Sequence, residues 1–64
     1  MKKPNNFNEW AQIAARAERN RDYRQARENW FSAVNTAKNK QNRLWAEARH
    51  EYCETHCSKE EQST

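Results

Sequence analysis

Residues 22–38 read DYRQARENWFSAVNTAK, and the spacing of their apolar side chains decides the fold. Tyr23, Ala26, Trp30, Ala33, Val34 and Ala37 recur at i, i+3, i+4 and i+7, which aligns them along one side of an α-helix. Asp22 followed by Gln25 has the spacing of a capping box, in which side-chain acceptors satisfy the orphan amides of a first turn. The pattern predicts a helix from Asp22 to about Lys38, ended by Asn39. Phe31 falls off its apolar stripe.

Upstream, Asn6 and Glu9 repeat the capping spacing, so an earlier helix starts near Asn6 or Asn8 and runs to about Asn20, with Trp10, Ile13, Ala14 and Ala17 as its buried stripe. Downstream, Asn42 is positioned to cap a third helix. That helix carries Leu44, Trp45, Ala48, Tyr52, Cys53 and His56 on its buried side and ends near Cys57. Glycine is absent and Pro4 is the single proline, which removes the residues that tight β-hairpin turns require. The reading is an all-α fold: a helical hairpin plus a third packing helix over residues 7–57, a disordered N-terminus at 1–6 and a disordered tail at 58–64. Short connections make neighbouring helices antiparallel.

The hairpin resembles a tetratricopeptide unit, whose pattern is W-x2-L-G-x2-Y followed by A-x3-F. Here Trp10-x2-Ile13-Ala14-x2-Ala17 precedes Ala26-x3-Trp30 and Ala33, and the pattern restarts at Trp45-x2-Ala48-Arg49-x2-Tyr52. Arg49 stands where a small residue is expected, so the third helix reads as a cap. One repeat with a cap falls short of the three or so that a solenoid needs, and a chain of 64 residues buries too little surface to be more than marginally stable alone. Both considerations favour association, either with another copy or with a partner protein.

Composition narrows the function. Residues 1–43 carry a net charge of +6 and residues 44–64 a net −3, giving +3 for the chain. The basic band Arg16, Arg19, Arg21, Arg24 and Arg27 around the first turn is a candidate nucleic-acid surface. A helix-turn-helix reading with the third helix as reader fails on chemistry, because Leu44-Trp45-Ala46-Glu47 offers apolar groups and an acid where base-reading donors are needed. Direct sequence-specific DNA binding is therefore not expected. His50, Cys53, His56 and Cys57 are of zinc-ligating type, yet successive turns of one straight helix rise about 5.4 Å, too steeply to close a tetrahedron. No cofactor or metal is expected. The serines have no partners that would make a nucleophile and there is no glycine-rich phosphate loop, so the chain does not read as an enzyme. It has neither a membrane-length apolar run nor a signal-peptide core, which places it in the cytoplasm with Cys53 and Cys57 as free thiols.

Tyr23-x2-Ala26-x3-Trp30-x2-Ala33-x3-Ala37 followed by Asn42-x2-Trp45-x3-Arg49-x3-Cys53 resembles the core of the ANR family, the AraC negative regulators of bacterial pathogens, over about residues 7–57. The resemblance implies a small negative regulator of transcription that lacks a DNA-binding domain. Such a protein binds AraC/XylS-type activators of virulence genes, hinders their dimerisation and lowers their DNA occupancy. Some members of that family are also associated with the histone-like nucleoid-structuring protein. The contact region expected for such a role is Tyr23, Arg24, Arg27, Trp30, Phe31, Leu44 and Trp45, with Tyr23 and Trp30 also fitting the core stripe. The alternative is a basic nucleic-acid-binding or nucleoid-associated accessory protein working through the arginine band. A third option is a metal or thiol sensor built on His50, Cys53, His56 and Cys57.

Overall fold

The computed structural model describes residues 6–62, with side chains described as far as Cys57. It contains three helices, α1 (Phe7–Arg19), α2 (Tyr23–Thr36) and α3 (Lys40–Gln62). The fold is all-α, as the periodicity predicts; among the described residues there is no strand. Of the disordered ends expected at 1–6 and 58–64, residues 1–5 and 63–64 lie outside the described residues, whereas Asn6 caps α1 and residues 58–62 continue α3. α2 is central and packs against both α1 and α3.

Each helix starts on a side-chain cap. Asn6 accepts the Glu9 amide at 2.9 Å, and Asp22 accepts the Gln25 amide at 3.3 Å. The third cap is Asn39 instead of Asn42: its Oδ1 accepts the Asn42 amide at 2.7 Å, and its carbonyl accepts the Arg43 amide. α2 correspondingly stops at Thr36, two residues earlier than its periodicity suggests. There the Thr36 hydroxyl donates back to the carbonyls of Ser32 and Ala33, while Ala37 turns extended at φ −66°, ψ 129°. An asparagine favours a cap over a helix end, and Asn39 draws the break toward itself. At its far end α3 continues past Cys57 to Gln62, since Lys, Glu and Gln are good helix formers and nothing there breaks the ladder.

The turn after α1 is a Schellman closure. Asp22 N–H donates to the Ala17 carbonyl and Arg21 N–H to the Glu18 carbonyl, each at 2.9 Å. This geometry requires a left-handed residue, normally glycine. Arg21 occupies it at φ 61°.

The interior is made of small side chains. Ala11, Ala14, Ala17, Ala26, Ala33 and Ala46 are buried together with Trp30, Cys53 and Cys57, and the alanines allow the helices to approach closely. Two expected stripes are corrected here. Ile13 is 41% exposed while Ala11 is buried in its stead, because α1 presents its Ala11–Ala14–Ala17 edge to α2. On α3 the buried line is Ala46, Cys53 and Cys57, whereas Leu44, Trp45, Ala48 and Tyr52 are exposed. The small side chains on α3 turn inward against the alanines of α2, and the large ones turn out. Among the described residues Asn29 is the buried polar side chain, and its Nδ2 has no hydrogen-bond partner there.

Candidate interaction surfaces

The three helices are joined by a polar node around Glu18. Trp30 Nε1 donates to Glu18 Oε2 at 2.6 Å, and Arg49 forms an ion pair with the same carboxylate through Nη2 and Oε1, with Nε at 3.4 Å from Oε2. The hydrogen bond that Arg49 donates to Glu18 raises the Arg49 pKa above its ordinary value against the opposing effect of burial. Arg49 also lies over the Tyr52 ring, 4.5 Å from its centroid, within cation–π range. The arginine that departs from the repeat pattern thus has a structural task, reaching across α2 to α1.

Aromatic contacts fix how α3 is seated. Trp30 meets Trp45 edge-on at 5.0 Å between centroids, and Phe7 approaches the same Trp45 at 6.0 Å. Further along, Tyr23 stacks on His56 at 4.9 Å, and Tyr52 packs against both. His50 faces Phe31 at 5.9 Å. Both imidazoles are therefore engaged with aromatic rings.

Of the seven residues expected to contact a partner, Trp30 is corrected: it is 1% exposed and belongs to the core, where its bulk is the main filler between alanines. Tyr23 is half-buried against His56. The remaining five fall on two separate faces. Arg24, Arg27 and Phe31 follow one another at helical spacing on the outer side of α2, with Phe31 57% exposed. Leu44 and Trp45, 51% and 50% exposed, lie on the outer side of α3 with Ala48 and Tyr52. The sequence pattern puts this second face in the core, since its apolar residues have the spacing of a buried stripe, while Leu44 and Trp45 also figure in the expected contact region. The missed signal was a second, small-residue stripe, Ala46–Cys53–Cys57, on the same helix.

Arg16, Arg19, Arg21 and Arg24 are exposed around the first turn. Cys53 and Cys57 are buried thiols outside any disulfide, and burial pushes the Cys53 thiol up to about 11. Such a thiol stays protonated and unreactive at neutral pH. Among the described residues no group of three or more His, Cys, Asp or Glu side chains is placed to hold a metal ion.

A cleft of about 570 Å³ opens where the start of α1, the end of α2 and the start of α3 meet. It is lined by Asn6, Phe7, Asn8, Asn35, Thr36, Ala37, Lys38 and Asn42, a set with neither acid nor thiol. Among the described residues no helix is long and apolar enough to cross a membrane. No family model, no curated protein and no solved structure matches the chain.

Proposed function

We propose that this protein is a non-enzymatic regulator of transcription that acts in the cytoplasm by binding a protein partner, an activator of the AraC/XylS type, and preventing that activator from dimerising on DNA. The observation that carries this reading is an inversion of ordinary burial. The largest fully buried side chains are Trp30 and Cys53, whereas Ile13, Phe31, Leu44, Trp45 and Tyr52 remain exposed. Small domains seldom leave so much large apolar surface uncovered unless something docks on it, and aromatic side chains beside arginines are what interface hot spots favour. The α2 face, with Phe31 next to Arg24 and Arg27, has that composition and suits the amphipathic helix through which an activator would pair with its twin. The resemblance of the Tyr23–Cys53 spacing to the AraC negative regulators supplies the identity of the partner.

The experiment is a gel shift of an AraC-type activator on its promoter, with this protein added and with a lane of protein and promoter alone. Loss of the activator's band, with no shift by the protein itself, is expected. Phe31→Ala should weaken the effect without changing the helical circular dichroism, whereas Trp30→Ala should unfold the chain. A shift by the protein alone, with the activator still bound, would instead favour the nucleic-acid reading. The exposed arginines at 16, 19, 21 and 24 give that second reading its basis, and it requires affinity to fall steeply with salt.

A further inference from the structure

The cleft where the three helix ends meet has an uneven chemistry. Four of its lining side chains are asparagine carboxamides, and one, Lys38, is charged. Asparagine is a poor residue inside a helix and a good one at a cap, yet only one of the four caps a helix: Asn6, on α1. Because Asn39 caps α3, the half-buried carboxamide of Asn42 is left to line the cleft. Asn8 and Asn35 join it from the other two helices.

The backbone completes two unlike walls. A helix start leaves its first amides without an intrahelical acceptor. In α1 Asn6 serves the amides of Glu9 and Trp10, so those of Phe7 and Asn8, both lining residues, have no acceptor within the helix. Across from them lies the end of α2, whose carbonyls would oppose an anion. Three of these are occupied: Ser32 and Ala33 accept the Thr36 hydroxyl, and Val34 accepts the Ala37 amide. The next two, those of Asn35 and Thr36, have no amide of α2 to serve.

We infer that this cleft binds the end of a molecule that carries one carboxylate beside an amide, as in an N-acylated amino acid or the last residue of a peptide chain. Lys38 and the amides of Phe7 and Asn8 receive the carboxylate. The carboxamides of Asn8, Asn35 and Asn42 each offer a donor and an acceptor to the ligand's amide, and the α2 end accepts its N–H. Phe7 and Ala37, half-buried, provide the apolar contact for a side chain. One lysine with no acid in the lining matches a single negative charge, whereas a phosphate dianion is favoured by arginine forks, and the lining contains no arginine. The volume of about 570 Å³ falls within the roughly 300 to 1,000 Å³ of small-ligand sites.

Amide NMR titration of the full chain with N-acetyl-leucine tests this. Shifts should centre on residues 7, 8, 38 and 42, with a dissociation constant of about 1 to 10 mM for so small a ligand. N-acetyl-leucinamide, which lacks the charge, should bind about 10-fold more weakly. Asn42→Ala and Lys38→Gln should each lower the affinity by about 5-fold. Both should keep the circular dichroism of the parent, since alanine is the best helix former and Lys38 is exposed outside the helices. Phe31→Ala, which reads activator binding, should leave this affinity unchanged. An octapeptide ending in leucine separates the sources: binding about 10-fold tighter than N-acetyl-leucine assigns the cleft to chain termini, and equal binding assigns it to free acylated amino acids. No shift at these residues up to about 50 mM acid, equal affinity for acid and carboxamide, or an affinity unmoved by both variants would each overturn the inference.

Discussion

The indole N–H of Trp30 and the carboxylate of Glu18 meet at 2.6 Å across the α1–α2 interface, and this carboxylate also holds Arg49 of α3. Glu18→Ala removes the acceptor of a buried donor and strands an arginine at once. The expected loss is about 2 to 3 kcal/mol, a large share of the roughly 3 to 5 kcal/mol available to a core this small. Glu18→Gln keeps an acceptor for the indole and should lose less. Urea unfolding followed by circular dichroism orders the two; equal losses would mean the indole bond contributes nothing beyond the ion pair.

Arg21 stands at φ 61° in the turn after α1, where a side chain beyond glycine costs about 1 kcal/mol or more. Arg21→Gly should raise the urea midpoint by an amount corresponding to about 1 kcal/mol, partly offset by the greater freedom of glycine in the unfolded chain. No change in midpoint would show that the left-handed turn is not populated in solution.

The start of α3 can be located by two alanine substitutions. Asn39→Ala deletes the side chain that accepts the Asn42 amide and should cost about 1 kcal/mol. Asn42→Ala lies inside the helix, where alanine is the best former, and should be neutral or slightly stabilising. The reverse order in thermal melts would restore Asn42 as the cap.

Burial pushes the Cys53 thiol up to about 11, against about 8.5 for an unfolded cysteine. Between these values the unfolded chain has released a proton that the native one retains, so rising pH favours unfolding. Stability from this source is complete below about pH 8.5 and is lost as pH climbs through 11, by roughly 2 to 3 kcal/mol. Cys53→Ser should unfold at lower urea near neutral pH and lose most of the alkaline slope. Thiol titration at mildly alkaline pH should likewise be slow in the native protein and fast in urea.

The helices themselves were legible because amphipathic spacing and capping residues are local signals: Asn6 and Asp22 cap where the capping-box spacing places them. Asn39 and Asn42 compete for one role with the same chemistry, and choosing between them takes the position of Thr36 and Ala37. The inner face of α3 was hidden for another reason. Hydrophobicity ranks Leu44, Trp45 and Tyr52 above Ala46, Cys53 and Cys57, but close packing against Ala26 and Ala33 rewards small volume over apolar area. Of the expected contact region, Phe31 was recognisable as an outsider by its angle on α2. Trp30 was ambiguous, because one side chain satisfied both the core stripe and the hot-spot composition.

An interior filled mainly by alanine has a consequence for how such a protein can diversify. The side chains that hold the helices together number few and are close to minimal in size, so almost any enlargement at Ala14, Ala26, Ala33 or Ala46, all fully buried, forces the backbones apart. The bulky groups at 31, 44 and 52 have little part in that interior. Folding and outer surface are thereby written in nearly separate alphabets, and a designer could rewrite the outer one alone while leaving the interior as it stands.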